Sequence, residues 1–273
     1  MKNKFKLIIL IISSDNEGVY AKMKEMSQIY LDLFKKKENN GDFYGNNSWY
    51  EYFYIEFNST IENDFLVEKN TIKIKGNETL MPGLFEKTII SMKYIIDNFE
   101  FSYLMRTNLS TLLHLENIYS FLNLLDQQNL HKYFGGFTIK DVVFTGTDVV
   151  SGTGIFASNN VVKYLIEKYD DKRKYDVPDD VLFSNIIHDS NLNETEIENI
   201  EIQNITNYKM GYLISYDEWN KPYSSINLNI GNFNPNLTFP ENILYFRIKN
   251  GADRNIDIQY HKLLIEKLYN IAV

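Results

Sequence analysis

The residues of this chain best suited to acid–base chemistry are two adjacent carboxylates after a proline, in Pro178-Asp179-Asp180-Val181. A carboxylate takes a proton from a hydroxyl most effectively when its pKa lies near the working pH, and a like-charged neighbour raises that pKa. The adjacent carboxylates Asp179 and Asp180 are candidates for such a group. Acidic residues after proline at a helix start also serve as plain caps that favour the helix dipole, and spacing leaves both readings open. Ser151-Gly152-Thr153-Gly154 is a run of small residues that lets backbone approach a ligand closely, or else an ordinary tight turn. Arg106-Thr107-Asn108-Leu109-Ser110 ends a strand in polar groups, where α/β folds bind ligands, although Asn108 or Ser110 would equally cap the next helix. Late in the chain, Arg247, Lys249 and Arg254 gather positive charge near a strand end. Arginine suits bidentate phosphate contact, and a solvated basic edge is the plain alternative.

The elements that must position these residues alternate. Leu7 to Ser14 is a continuous apolar, Ile-rich run, which predicts a central parallel strand covered on both faces, with Ser13 at its polar end as a further ligand-side candidate. A helix follows, its apolar positions Tyr20, Met23, Met26, Ile29, Tyr30 and Phe34 recurring at helical spacing. Strands are expected over Trp49 to Phe57, Phe65 to Lys75 and Phe101 to Met105, with helices from Leu84 to Asn98 and from Leu115 to Gln127. Strand-like material from Gly135 to Phe144 leads to a turn at Ser151–Gly154, then to helices from Asn159 and from Pro178. Ile243 to Asn250 reads as a late strand and Ile256 to Tyr269 as a closing helix. No repeat or low-complexity linker interrupts the chain, which predicts one α/β domain over residues 1–273.

Composition excludes several functions. A net charge of −8 argues against a general nucleic-acid surface, which demands clustered Lys and Arg. With no cysteine, there are no disulfides, thiolate metal sites or cysteine nucleophiles. The apolar run Phe5 to Ile12 is far shorter than the ~20 residues of a membrane span, and no small-residue cleavage site follows it, so no signal peptide is expected. The abundance of Asn, Ile and Lys reads as AT-rich coding bias rather than chemistry. His114, His131, His188 and His261 are isolated in sequence and form no metal-like pair, and His188 reads as a helix-end cation.

Three of these segments, taken in order, resemble the motifs of fringe-like (beta-3-) glycosyltransferases. Tyr103-Leu104-Met105-Arg106-Thr107-Asn108 is similar to the strand carrying that family's Asp-x-Asp metal motif. Ser151 to Ser158 is similar to its Gly-Gly-x-Gly-apolar segment, and Pro178 to Val181 to its Pro-Asp-Asp or Glu-Asp-Val motif, which precedes a helix. The resemblance spans Met81 to His188 and implies a GT-A fold, a mixed Rossmann-like sheet flanked by helices. It implies inverting transfer from a nucleotide-sugar, a UDP-sugar foremost, to a hydroxyl of a glycan or glycoprotein, with Asp180 as base and Asp179 beside it. On this pattern residues 1–110 form the donor half, and 111–273 the acceptor and catalytic half. Donor contacts are expected from Ser13, Arg106, Thr107, Asn108, Ser110, Arg247 and Lys249, and acceptor contacts from Ser151, Gly152, Thr153, Gly154 and Trp219.

The chain departs from the family where it carries Asn108-Leu109-Ser110 in place of three acidic residues, and Mn²⁺ and Mg²⁺ prefer carboxylates. Three outcomes stay open: cationic side chains balance the phosphates, a metal binds weakly through Asn108 and water, or the protein is a catalytically inactive carbohydrate- or nucleotide-binding relative. His261 stands where a late metal histidine would be sought. Lacking an N-terminal anchor, the chain is expected in the cytoplasm rather than with the family's Golgi members.

Overall fold

The apolar run at the start forms β1 (Asn3–Ile12), and its burial follows from its place in the sheet. Successive strand side chains point to opposite faces. Leu7, Ile9 and Ile11 enter one core, while Ile8 and Leu10 enter a second on the other face. A strand apolar on both sides belongs in the interior of a sheet, and β1 lies between two parallel neighbours there.

The computed structural model describes residues 2–14, 18–39, 48–141, 143–169, 177–190, 202–205, 208–213, 225–227, 241–249 and 254–271. After β1 come α1 (Gly18–Asn39), β2 (Tyr50–Phe57), β3 (Phe65–Glu68), β4 (Thr71–Ile74), α2 (Gly83–Asn98), β5 (Phe99–Asn108) and β6 (Thr111–Leu113). Then follow α3 (Leu115–Gln127), β7 (Phe134–Lys140), β8 (Asp148–Ser158), α4 (Asn159–Glu167) and α5 (Asp179–Ser190). The last elements are β9 (Ile202–Asn204), β10 (Lys209–Leu213), β11 (Ser225–Asn227), β12 (Ile243–Ile248) and α6 (Arg254–Tyr269).

The fold is mixed α/β. Eight strands form the main sheet in the order β3-β4-β2-β1-β5-β8-β7-β9. Helices α1, α3 and α6 cover one face through Met23, Tyr30, Phe121, Leu122, Leu264 and Tyr269. Helices α2, α4 and α5 cover the other through Phe85, Ile89, Val161, Leu165, Phe183 and Ile187. A smaller sheet, β11-β10-β12-β6, joins the first core through Leu112, Leu244 and Phe246. No helix among the described residues is long and apolar enough to cross a membrane.

Two local expectations are corrected. The stretch from Phe65 to Lys75 is not one strand but the hairpin β3–β4, reversed at Lys69 with φ 51°. The chain there turns without a glycine, so the usual punctuation is missing. Ser151 to Gly154 is not a turn but the middle of β8, eleven residues long. That strand pairs antiparallel with β5 through Thr107↔Gly154, and its first half runs on beyond the end of β5. Small residues are there because large side chains from neighbouring elements fill the space beside them.

The packing has a direct test. Phe156 of β8 is fully buried with its ring 5.2 Å from Phe121 of α3. Phe156→Ala is expected to lower stability by about 3–5 kcal/mol in urea unfolding, and a loss below about 1 kcal/mol would contradict this packing.

Candidate functional site

The strand order places a crevice at the carboxyl ends of β1 and β5. These neighbours are parallel and level, with Ile12 opposite Asn108, and the chain leaves β1 for β2 on one side while β5 flanks the other. Ligands of open α/β sheets bind at such a reversal. Ser13 sits here, 1% exposed, with its Oγ lacking a partner among the described residues. Its carbonyl accepts from Lys87 Nζ at 2.9 Å, and the same fully buried ammonium donates to both oxygens of Glu78 at 2.9 Å. Burial lowers the pKa of Lys87 while Glu78 opposes the shift. This ion pair forms the floor beside β1. The sequence reading missed it, because nothing in the spacing separates buried Lys87 from exposed Lys93 on the same helix.

The paired aspartates divide their tasks. Asp179 is 5% exposed and its carboxylate is held by Arg106 Nη2. Asp180 is half-buried. Its Oδ2 accepts from the Gly152 N–H at 3.0 Å and its Oδ1 from the Val181 N–H at 3.0 Å. Burial first, and Asp179 second, push the pKa of Asp180 up, while Arg106 and the two N–H groups pull against them. Helix α5 is anchored along β8 by residues four apart. Asp180 meets Gly152, Ser184 Oγ accepts from the Val150 N–H at 3.1 Å, and His188 Nε2 lies 3.1 Å from the Asp148 carbonyl. Side chains at i, i+4 and i+8 share one face of a helix, and they bond the part of β8 that runs past β5.

Arg106, expected at a donor phosphate, is instead 3% exposed, with Nη1 donating to the Gly152 carbonyl and Nη2 to Asp179. It is a structural cation of the carboxylate side. Thr107 is likewise buried, donating to the Thr153 carbonyl at 2.7 Å. Of the acceptor candidates, Ser151 and Thr153 are each 6% exposed, with their hydroxyls 3.0 Å apart. The glycines are required by crowding. A Cβ on Gly152 would stand 2.7 Å from Arg106 Nη1 and 3.1 Å from Asp180 Oδ2, and one on Gly154 would stand 2.6 Å from the Tyr245 ring. The room that glycine leaves is thus filled by Arg106 and Tyr245 rather than left open to a sugar. Trp219 lies outside the described residues.

Asn108 joins the two sides of the crevice. Its Nδ2 donates to the Gly152 carbonyl at 3.1 Å. Its Oδ1 accepts from Ser110 Oγ at 3.0 Å, from Thr111 Oγ1 at 3.2 Å and from Arg247 Nη1. Arg247 reaches it because β12 pairs antiparallel with β6, setting Arg247 opposite Thr111, and it also donates to Ser110 Oγ at 2.6 Å. These residues do not suit a divalent metal. The Asn108 oxygen already receives three donors, one of them a guanidinium, and metals of this class want carboxylates. Among the described residues, no group of three or more His, Asp or Glu is placed to hold an ion. His261, the late metal candidate, is 1% exposed inside α6, and neither ring nitrogen has a partner among the described residues. Burial, then Arg254 and Arg247, lower its pKa to about 3, so it is neutral at ordinary pH.

The carboxylate side predicts a sharp steric sensitivity. Gly152→Ala must displace Arg106 or Asp180, and is expected to lower any activity of the site at least tenfold while the purified protein stays folded by circular dichroism. Activity equal to wild type would show that the Gly152 contacts do not position the site.

No family model matches the chain, and no curated protein matches it. Among solved structures, it is similar to the crystal structure of a glycosyltransferase involved in the glycosylation of the major capsid of PBCV-1, at 11% identity over 94% of this chain and 99% of that one, with a TM-score of 0.46.

Proposed function

We propose that the chain is a GT-A-like inverting glycosyltransferase, moving a sugar from a nucleotide-sugar to an acceptor hydroxyl, with Asp180 as general base. The observation that carries this reading is the division between the aspartates. One carboxylate is locked to a buried guanidinium, and the next stands half-buried beside the crevice at the ends of β1 and β5, with its pKa raised. A base needs its carboxylate accessible and its pKa lifted toward working pH.

In this reading the acceptor O–H gives its proton to Asp180 as its oxygen attacks the anomeric carbon. The bond from that carbon to the leaving phosphate oxygen breaks, and the electron pair departs with the nucleoside diphosphate. A single displacement from the face opposite the leaving group inverts the anomeric centre. Retention through a covalent intermediate would want a second carboxylate as nucleophile, and Asp179 is held by Arg106. Asn108 ties the base side to the cation side through its bond to the Gly152 carbonyl. A UDP-sugar donor and a glycan or glycoprotein acceptor are the substrates that the motif resemblance favours, in one domain whose carboxylate and cation sides meet at this crevice.

The second reading is a non-catalytic binding relative. The α5–β8 anchoring favours it, since Asp180, Ser184 and His188 together look after backbone groups of β8.

A panel of nucleotide-sugars, followed by thermal shift and nucleotide release, separates the two. At least one donor is expected to raise the melting temperature and to be turned over. Asp180→Asn is expected to keep the thermal shift and lose release by about 100-fold or more; full turnover in that variant would remove the base assignment. The pH profile gives a further check. The base works deprotonated and its pKa is raised, so kcat/KM is expected to fall as pH drops through a value above the ordinary aspartate range. Arg106→Gln, which removes the positive charge that holds the Asp180 pKa down, should move that limb to higher pH. A limb at the ordinary aspartate value in wild type would contradict the environment described for Asp180.

A further inference from the structure

Two exposed loops stand at the same edge of the main sheet as the crevice. Strand β4 runs parallel to β2 and so to β1, and the chain leaves it for α2 at the carboxyl edge. Strand β7 is antiparallel to β8, which is antiparallel to β5, so β7 also ends at that edge. The first loop carries Leu80 and Met81, 69% and 41% exposed, and the second carries Val143 and Phe144, 76% and 46% exposed. Among the described residues, the other two large exposed apolar side chains are Phe65 and Leu66 of the edge strand β3. Single exposed apolar residues are ordinary on a protein surface, whereas adjacent pairs on loops of one edge mark a binding surface.

The β7–β8 loop holds its pair outward by internal bonds. Asp141 is buried, and its Oδ1 accepts from the Val143 N–H at 3.1 Å and the Phe144 N–H at 3.2 Å. Its Oδ2 accepts from the Thr145 N–H at 2.7 Å and the Thr145 hydroxyl at 2.8 Å. The Asp141 N–H donates to the Thr147 carbonyl at 2.9 Å and closes the loop. The Thr147 N–H and hydroxyl donate to Thr145 Oγ1 at 3.2 Å and 2.9 Å. Gly146 takes φ 70°, a left-handed conformation that glycine adopts without strain. The N–H groups of Val143, Phe144, Thr145 and Thr147 are therefore bonded within the loop rather than to water.

This self-sufficiency decides what the tip fits. Backbone polar groups that enter hydrocarbon must be satisfied internally, and these N–H groups are. The two loops leave β4 and β7, which stand five strand spacings apart in the sheet order, or about 24 Å. An extended apolar medium meets both loops at once, with the crevice between them. At a net charge of −8, apolar contact rather than attraction to anionic headgroups carries such docking.

We propose that Val143 and Phe144, with Leu80 and Met81 as a second point of contact, seat the carboxyl edge of the sheet on a lipid bilayer. The acceptors are then hydroxyl-bearing molecules presented at a membrane surface, a clause that rests on the glycosyltransferase reading. Gly152, whose N–H bonds Asp180, lies four residues along β8 from Asp148 at the foot of the loop, a rise of about 13 Å. The base thus stands a headgroup's length from the docked loop.

The probe is a vesicle of phosphatidylcholine, which has no net charge, sedimented with the full chain. Binding is expected at low and at high salt alike, because apolar insertion is not screened. Val143→Ser and Phe144→Ser, both at exposed positions, are each expected to weaken it about fivefold or more, and Leu80→Ser about threefold. Asp141→Ala, which strips the loop N–H groups of their acceptor, should weaken it with the apolar pair still present. Lys140→Gln, which removes the exposed cation beside the loop, should change nothing. The proposal is overturned if the chain does not sediment with the vesicles, which would leave the tip to a protein partner. It is equally overturned if high salt releases the chain, or if the Val143→Ser, Phe144→Ser double variant sediments like wild type. Vesicle binding with no nucleotide-sugar turned over keeps the docking surface and removes glycosyl transfer. Turnover of a water-soluble acceptor without vesicle binding does the reverse, so the two claims fail separately.

Discussion

The buried guanidinium of Arg106 is the constraint on which the site is built. It leaves the end of β5, crosses to the Gly152 carbonyl of β8 and closes on Asp179 at the start of α5. A charge 3% exposed is tolerable only when it is paired and hydrogen-bonded. The pairing obliges α5 to begin beside β8, and it obliges residue 152 to be glycine, because a methyl group would stand 2.7 Å from the guanidinium. Asp180 then follows from chain geometry. One residue along from the locked carboxylate, it faces the Gly152 N–H while the carbonyl of the same residue is held from the other side.

The crevice divides charge across Asn108. Its amide nitrogen belongs to the carboxylate side through Gly152, and its oxygen belongs to the cation side through Arg247. A carboxylate at this position would form an ion pair with Arg247, whereas the neutral amide oxygen fixes where the guanidinium stands by a hydrogen bond alone. The small sheet has a role here beyond packing. By pairing β12 with β6, it carries Arg247 from the far end of the chain to within hydrogen-bond reach of β5.

Much of the fold was legible. The Ile-rich run at Leu7–Ile11 announced an interior strand, and the helix expected from Leu115 to Gln127 is α3 with the same bounds. What failed depended on tertiary contact. The glycines at 152 and 154 looked like a turn because sequence cannot show that Arg106 and Tyr245 fill the space beside them. Arg106 looked like a phosphate ligand because its type and strand-end position suit one, and only the fold reveals Asp179 against it. Lys87 carried no signal, because burial of one lysine among several depends on Glu78 and Ser13 lying above it. The cations at 247, 249 and 254 were visible as a group; the contact of Arg247 with Asn108 depends on a strand pairing between residues more than a hundred positions apart.

The most direct test is the stereochemistry of the first-formed product. With a nucleotide-sugar whose anomeric linkage is α, the proton NMR coupling of the new anomeric centre, read early in the reaction, should report a β linkage. That result follows from one displacement assisted by Asp180 with a nucleoside diphosphate leaving from the opposite face. An α-linked product would contradict the account, because it requires a second displacement or a same-face attack for which this arrangement of Asp179, Asp180 and Arg106 makes no provision.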